Sequence, residues 1–296
     1  MATLEQSAAL SGVSKSTVSR VVNGDEAVLP ETRRRVLDVI REQGYRPNFA
    51  AKGLKSGRTN IIAAILPGAT GNLGADPFMV SMMHGLARAA DEADHVLVLS
   101  LDEPGFRHSA AELAAGGTVD GVIFSAATIG DPLLDPLVTT GVPVVTIGRV
   151  EPGRVPYADV DNAGASHRIT SHLIELGRRN IAAVSGPLTA PVSIDRLDGY
   201  RSSLEAAGLP QRSELVFEGD FTEQSGRRAI EHLLPEAPDA VVAASDLMAF
   251  GVVKALRDRG LRVPEDVAVV GFDDVAGADS FDPPLTTIRQ SSDALA

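Results

Sequence analysis

The stretch GVSKSTVSRVVN, residues 12–23, decides how the start of the chain folds. Gly12 can adopt the left-handed conformation that ends one helix, and Ser14 can cap the next. Valines then recur at three- and four-residue spacing and predict one inward-facing stripe, which leaves Lys15, Ser16 and Arg20 on the outer face. A glycine turn between two short helices, with donors near the start of the second, is typical of a helix-turn-helix that reads the major groove. The alternative is an ordinary helical hairpin with a solvated face.

Two further short helices are predicted beside this one. The first starts at Thr3, because Thr3 and Gln6 have the capping-box spacing. The other starts at Pro30, a favourable first-turn residue, and ends near Gly44. Their apolar stripes predict one small three-helix bundle.

Charge is distributed unevenly along the 296 residues. The net charge is −12, yet residues 1–60 contain ten Lys or Arg and six Asp or Glu, which leaves −16 for the remainder. A basic head on an acidic body is typical of a nucleic-acid-binding domain joined to another module. No run of about 18 apolar residues and no apolar signal segment is present, so we expect a cytoplasmic protein without a membrane span. The lack of cysteine excludes disulfide and thiolate chemistry.

The segment NFAAKGLK, residues 48–55, is a second candidate DNA contact. Asn48 can cap a short helix, and Leu54 lies beside Lys52 and Lys55. An apolar side chain between cations suits insertion between base steps in the minor groove. The alternative is a linker helix whose leucine packs on a neighbour.

From residue 61 onward, apolar runs of strand length alternate with helical segments. This alternation predicts parallel sheets covered by helices on both faces, in two successive sets of four strands. Parallel sheets bind ligands at the carboxyl ends of their strands, so two facing sheets predict a cleft. The predicted strands are residues 61–66, 96–101, 121–124, 142–147, 181–184, 215–218, 240–243 and 267–271.

Enzyme and cofactor signatures are weak. GLKSGRT, residues 53–59, resembles a phosphate loop only superficially, and the spacing of Gly68, Gly71 and Gly74 does not match a dinucleotide fingerprint. The sequence has no nucleophile elbow and no H-E-x-x-H motif, and the six histidines are scattered. We therefore predict no catalytic residue, no metal site and no cofactor.

Many motifs of this chain occur, in the same order, in one family. They are GVSKSTVSRVVNG, ETRRRVLDVIREQGYRPN, DPF, VDGVIF, GVPVVTIGR, DVDNAGA, RLDGYR, ASDLMAFG, GLRVPEDVAVVGFDD and PPLTTIRQ. From about Thr3 to Gln290 the chain resembles the lactose/galactose repressor family of bacterial transcription regulators. The resemblance implies an all-α helix-turn-helix head and an α/β body of two doubly wound parallel-sheet subdomains, like type I periplasmic binding proteins.

The resemblance assigns DNA contacts to the head and hinge. Lys15 and Ser16 occupy base-reading positions, and Leu54 matches a leucine that paired hinge helices wedge into the operator. That pairing implies a homodimer and a pseudo-palindromic operator of double-stranded DNA. The DNA-binding residues implied are Thr3, Ser14, Lys15, Ser16, Thr17, Ser19, Arg20, Asn23, Asn48, Lys52, Leu54 and Lys55.

The resemblance also implies a small-molecule effector, most simply a sugar, in the cleft. The effector residues implied are Asp76, Phe78, Arg149, Arg196, Phe221, Ser245, Asp273 and Gln290. For Phe78 and Phe221 the alternative is plain core packing, and for Asp273 it is a satisfied turn carboxylate. Ser245 stands where many members have Asn, and Gly148 where many have Asp, so the ligand cannot be copied from a relative.

The resemblance suggests five segments. They are a DNA-binding domain (1–47), a hinge (48–59), two effector subdomains (60–160 and 161–288) and a return crossing (289–296). The family continues beyond the position of Ala296, so we expect exposed apolar surface and a weaker dimer if the chain ends there.

The sequence thus predicts a transcription regulator, a repressor of sugar-utilisation genes. One alternative is a small-molecule binding protein with a non-functional head. Another is an α/β enzyme acting on sugars, which would need a paired acid and base, whereas Asp273 and Asp274 are expected to point apart.

Overall fold

The computed structural model forms two compact units, residues 1–59 and 60–296. None of the helices built from the described part of the chain has the length and apolar character that crossing a membrane requires. The residues described are 3–22, 24–45, 58–67, 76–102, 110–125, 128–150 and 153–296.

Three helices form the described part of the first unit, and their ends confirm the capping predictions. They are α1 (Leu4–Ser11), α2 (Lys15–Val22) and α3 (Pro30–Gln43). The backbone N–H of Gln6 donates to Thr3 Oγ1 at 3.2 Å, and that of Thr3 donates to Gln6 Oε1 at 2.9 Å. Gly12 is left-handed with φ of 64°, and Ser14 Oγ accepts from the N–H of Thr17 at 3.2 Å. The turn between α1 and α2 therefore forms from local hydrogen bonds.

The core of this unit joins one stripe from each helix. Ala8 of α1, Val18 and Val21 of α2 and Val36 of α3 are buried together. The start of α3 has no side-chain cap, because Leu29 precedes Pro30. This core orients α2 with its polar residues outward.

Two parallel sheets form the second unit. The first has the order β2-β1-β3-β4-β5 and the second the order β7-β6-β8-β9. All described pairings between these strands are parallel, as predicted. The strands are β1 (Ile61–Pro67), β2 (Val96–Asp102), β3 (Gly121–Ser125), β4 (Val144–Ile147), β5 (Tyr157–Ala158), β6 (Ile181–Ser185), β7 (Val216–Glu218), β8 (Ala240–Ala243) and β9 (Ala268–Val270).

Helices alternate with these strands. They are α4 (Pro77–Glu92), α5 (Ala110–Ala115), α6 (Leu134–Thr139), α7 (Asn162–Glu175), α8 (Pro191–Ala206), α9 (Glu223–Leu233), α10 (Asp246–Arg257) and α11 (Ser292–Leu295). Two 3-10 helices, Ser213–Leu215 and Leu234–Glu236, flank β7 and α9. We call the part built on β1–β5 the N-terminal subdomain and the part built on β6–β9 the C-terminal subdomain.

The structure corrects the predicted strand pattern in two respects. The first sheet contains a fifth, two-residue strand, Tyr157–Ala158, which is too short to show an apolar run. In addition, β2 is an edge strand, and Val96, Val98, Leu99 and Leu101 on it are substantially exposed. The prediction that helices cover both faces is therefore wrong for this strand.

Two described segments of chain connect the subdomains. Residues 159–161 lead from β5 into α7, and residues 289–291 lead back from the C-terminal subdomain to α11. There α11 packs on α4, where Ser292 Oγ lies 2.7 Å from Ser81 Oγ, and Asp293 pairs with Arg88 at 2.7 Å. We call these segments the first and second crossings.

Candidate functional site

The outer face of α2 presents the side chains predicted to read DNA. Lys15 and Arg20 are 59% and 65% exposed, and each faces an acid of the same unit. Lys15 is hydrogen-bonded to the carboxylate of Glu5, which lowers the pKa of that carboxyl. Arg20 lies 3.8 Å from Asp25. Exposed pairs of this kind are weak, so both cations can exchange an acidic partner for a phosphate or base.

Hydroxyl groups cluster at the start of α2. Ser14 Oγ lies 2.7 Å from Ser16 Oγ and 2.9 Å from Thr17 Oγ1. Ser19 is half-buried on the same helix. Thr3 and Ser14 act as helix caps, whereas Ser16 is exposed and available as a donor. Five predicted DNA contacts lie outside the described residues: Asn23, Asn48, Lys52, Leu54 and Lys55.

In the second unit, four of the eight predicted effector residues lie just beyond the carboxyl ends of strands. Arg149 follows β4, Phe221 follows β7, Ser245 follows β8 and Asp273 follows β9. This is the edge at which parallel α/β sheets bind ligands. Residues from both subdomains therefore line one region.

Arg196 on α8 is the centre of a buried polar cluster and is only 7% exposed. Its Nε donates to Asn162 Oδ1 at 2.9 Å, and its Nη1 donates to the carbonyl of Ala244 at 2.5 Å. The guanidinium also lies over the ring of Phe272, 3.7 Å from the centroid. These contacts fix the plane of the guanidinium.

Asp273 completes the cluster from the loop after β9. Its Oδ1 lies 3.7 Å from Arg196 Nη1 and accepts from Gln290 Nε2 at 2.6 Å. Burial raises the pKa of Asp273 to about 7, although Arg196 opposes this shift. Asp273 also has φ of 120°, a strained conformation typical of functional sites. Its neighbour Asp274 instead pairs with Arg289 at 2.5 Å, so the two carboxylates point apart, as expected.

The N-terminal subdomain contributes Asp76 and Phe78. Asp76 caps α4 by accepting from the backbone N–H of Phe78 at 2.9 Å, and burial raises its pKa. Its negative charge also raises the pKa of Asp273. Phe78 packs against the apolar cluster that contains Met82 and Leu86. At least part of its role is therefore core packing.

Phe221 is held in an unusual conformation. Its φ is 63°, which is rare for a bulky residue. Its ring lies on the backbone of Gly186, where an added Cβ would come within 2.1 Å of Phe221 Cζ. Gly186 thus makes room for the ring of Phe221 at the carboxyl edge of the sheet. At the same edge, Ser245 caps α10 by accepting from the N–H of Met248 at 3.3 Å.

Arg149 contacts the other subdomain directly. Its Nη2 lies 2.7 Å from Asp195 Oδ1 on α8, and this contact raises the pKa of Arg149. In a second contact between the subdomains, the N–H of Ile129 after β3 donates to the carbonyl of Thr189 at 2.8 Å. The two subdomains therefore meet through direct polar contacts between the edges that carry the predicted effector residues.

Sequence reasoning did not assign roles to four residues of this region. Asn162 and Phe272 contact Arg196 as described above, and Asp159 contacts Asn162 at 2.8 Å. Asp246 is fully buried and accepts from Thr287 Oγ1 at 2.5 Å and from the N–H of Val275 at 2.9 Å, which holds the loop carrying Asp273. Burial raises the pKa of Asp246 to about 6. Asp159 and Asn162 both lie in the DVDNAGA motif, which resembles the family but for which the sequence predicted no functional role.

The arrangement is suited to binding a neutral polar molecule. It combines a guanidinium, carboxyl groups, an amide and an aromatic ring at the edge where the two subdomains meet, which is a set that recognises hydroxyl groups. Within the ranges that the structure describes, no three His, Cys, Asp or Glu side chains form a group that could hold a metal ion.

A helix-turn-helix with a cationic outer face, joined to two parallel α/β subdomains with a polar cleft, defines a class of ligand-responsive DNA-binding regulators. Family models agree with both parts. Residues 3–48 match bacterial regulatory proteins of the lacI family, and residues 170–296 match the periplasmic binding protein-like domain.

Individual relatives extend the match over the whole chain. The transcriptional regulator CelR of Thermobifida fusca is 42% identical over 99% of this chain and 88% of its own length. A solved CelR–cellobiose complex covers 100% of this chain and 90% of its own, at 40% identity and a TM-score of 0.73. A lac repressor dimer bound to operator and the anti-inducer ONPF covers 99% of this chain and 89% of its own, at 28% identity and a TM-score of 0.83. The chain belongs to the lacI family and is a DNA-binding transcriptional regulator.

Proposed function

We propose that this regulator is controlled by a small carbohydrate bound between its two subdomains. The observation that carries the proposal is the buried cluster of Arg196, Asp273 and Gln290, with an arginine nitrogen and an amide nitrogen 3.7 Å and 2.6 Å from one carboxylate oxygen. A carboxylate flanked by donors can take two hydroxyl groups of a sugar ring, since it accepts while its neighbours donate. The ring of Phe221 offers an apolar face for the same sugar.

The relatives favour a glucose-containing disaccharide. CelR has been solved with cellobiose, and it is 42% identical to this chain over nearly its whole length. Cellobiose is therefore the first ligand to test. Gly148, which stands where many family members have Asp, and Arg149, which follows it, lie at the edge facing α8 and would adjust which sugar fits.

The DNA-bound form is proposed to be a homodimer on a pseudo-palindromic operator. A lac repressor similar over 99% of this chain has been solved as a dimer on its operator. In this chain, Val80 of α4 and the β2 residues Val96 and Leu99 expose large apolar side chains. An exposed apolar edge strand is a typical association surface, and a second copy would cover it.

The regulatory role proposed is repression of sugar-utilisation genes in the cytoplasm. The cleft is proposed to bind rather than to catalyse. Asp274 pairs with Arg289 at 2.5 Å, so it does not form an acid–base pair with its neighbour Asp273. Sugar binding would alter operator affinity only through a difference in affinity between two arrangements of the subdomains.

Calorimetric titration tests the sugar. We expect the wild-type protein to bind cellobiose and Asp273→Asn to bind it at least tenfold more weakly, because a hydroxyl acceptor is lost. Asp266→Asn is the matched control, since Asp266 pairs with Arg262 on the protein surface. Equal binding by the wild type and Asp273→Asn would contradict the proposed site.

Retention of genomic DNA fragments tests the operator. We expect the purified protein to enrich one palindromic sequence upstream of sugar transport or glycosidase genes, with enrichment reduced in Leu54→Ala. Enrichment that does not depend on sequence would instead favour the alternative of a binding protein whose head no longer reads DNA.

A further inference from the structure

The first crossing is hydrogen-bonded to the N-terminal subdomain. Asp159 Oδ2 accepts from the backbone N–H of Arg149, which follows β4, at 3.0 Å. Its other oxygen, Oδ1, accepts from the N–H of Val160 and from Asn162 Nδ2, both at 2.8 Å. One carboxylate therefore joins the end of β4 to the start of α7.

Asn162 continues this connection into the effector site. Its amide is buried, and its Oδ1 accepts from Arg196 Nε at 2.9 Å while its Nδ2 donates to Asp159. The two helices approach closely enough for this contact because Gly199 of α8 has no side chain. A Cβ there would lie 2.2 Å from the carbonyl oxygen of Ala163 on α7.

Beyond Arg196, the connection reaches the second crossing. Arg196 Nη1 lies 3.7 Å from Asp273 Oδ1, and that oxygen accepts from Gln290 Nε2 at 2.6 Å. The backbone N–H of Gln290 also donates to the carbonyl of Asp273 at 3.2 Å. The polar chain Asp159–Asn162–Arg196–Asp273–Gln290, which we call the relay, thus links both crossings through the proposed sugar contacts.

We propose that Asp159 and Asn162 are positioning residues that orient Arg196 for the effector and transmit its occupancy to the two crossings. This inference rests on the proposed function of the cleft as a sugar site. Neither residue needs to touch the sugar.

Two physical features support this role. Arg196 has a planar guanidinium, so one hydrogen bond at Nε and one at Nη1 define its orientation. The three middle members of the relay, Asn162, Arg196 and Asp273, are also buried, where a broken hydrogen bond leaves an unsatisfied group. A sugar that changes the contacts of Arg196 or Asp273 therefore favours one arrangement of the crossings over the other.

Two substitutions cut the relay at different points. Asp159→Asn keeps Oδ1 as the acceptor for Asn162 but replaces the acceptor for the N–H of Arg149 with an NH₂ group. Asn162→Ala removes the acceptor for Arg196 Nε. Asn180→Ala is the matched control. Asn180 lies just before β6, at the opposite end of the same sheet, and its Nδ2 donates to the carbonyls of Glu236 and Ala237.

The first readout is the ratio of operator affinities without and with saturating cellobiose, measured on the full chain beside direct cellobiose titration. For Asp159→Asn we expect cellobiose affinity to fall about threefold and the ratio to fall at least fivefold. For Asn162→Ala we expect both to fall about tenfold. Asn180→Ala should leave both at wild-type values. A purely structural role would lower the melting temperature of the two relay variants and leave the ratio unchanged, which would overturn the proposal.

The second readout needs no sugar and keeps the two proposals distinguishable. Hydrogen exchange of the ligand-free protein should be about tenfold faster over residues 285–292 in Asn162→Ala than in the wild type, although Asn162 does not contact that segment directly. Unchanged exchange there, with faster exchange confined to residues 158–165, would overturn the relay. A wild-type protein that fails to bind cellobiose would contradict only the proposed sugar.

Discussion

The cations of α2 and the cation of the cleft differ in how they are held. Lys15 and Arg20 are more than half exposed and face single acids, whereas Arg196 is 7% exposed and contacts Asn162, Ala244, Asp273 and Phe272. Exposed pairs contribute roughly 0–1 kcal/mol, while breaking a buried pair costs about 3–5 kcal/mol. The head therefore keeps its cations free to exchange partners, and the cleft keeps its cation fixed.

The difference in how the cations are held suits the ligand proposed for each site. In the proposed roles, DNA phosphates and base edges displace the acids that face Lys15 and Arg20, so weak pairing costs little on binding. A sugar offers only neutral hydroxyl groups, which cannot reorganise a charged side chain at low cost. A preorganised guanidinium avoids that cost.

The largest expected effect comes from breaking the buried cluster. Arg196→Leu leaves the Oδ1 of Asn162 and the carbonyl of Ala244 without this donor, so we expect a loss of about 3–5 kcal/mol in stability and a melting temperature lower by on the order of 10 °C. Arg201→Leu on the same helix is the control, since Arg201 makes an exposed pair with Asp198. Similar melting of the two variants would show that the cleft cation is no better held than a surface one.

The DNA-facing cations should affect binding rather than stability. Lys15→Ala should weaken operator binding by roughly 1–3 kcal/mol, the range for a base contact, with little change in melting temperature. Lys254→Ala, which breaks an exposed pair with Glu223 in the C-terminal subdomain, should leave operator affinity unchanged. Competition titrations with operator and random DNA check this, and an equal loss on both would reduce Lys15 to a phosphate contact.

Burial of Asp273 predicts that the stability of the second unit depends on pH. Its folded pKa of about 7 lies above the ordinary value of 3.8, so its protonated form stabilises the fold fully below pH 4, and that contribution is lost as pH rises towards 7. For one proton, the free energy of unfolding changes by at most about 1.4 kcal/mol per pH unit. Asp273→Asn does not titrate, so its melting temperature relative to wild type should increase from pH 5 to pH 8. A constant difference across this range would contradict the raised pKa.

The smallest expected effect concerns the helix caps of the first unit. Leu29→Ser supplies the cap that α3 lacks and should stabilise the first unit by about 0.5–1 kcal/mol. Leu29 is largely exposed, so little burial is lost. Slower hydrogen exchange over residues 30–36 of the full chain would report this gain, and Leu10→Ser, which replaces another exposed leucine, should not reproduce it.

The sequence by itself determined the elements whose causes are local. The cap of α1, the left-handed Gly12, the cap at Ser14 and the start of α3 at Pro30 all depend on residues within a few positions of one another, and the structure confirms each of them. The eight predicted strands are present with ends that differ from the prediction by at most two residues, because a continuous apolar run is also a local signal.

Tertiary structure alone decided the partners of Arg196 and the edges of the sheets. Arg196 meets Asn162, Ala244 and Asp273 from four separate segments, and a buried polar group shows its partner only when packing brings distant segments together. The same reason hid the exposed side chains of β2, since an apolar strand reads identically at the centre and at the edge of a sheet. Hydrogen bonding within a turn is set by adjacent residues, whereas burial and charge pairing are set by whatever the rest of the chain packs beside them.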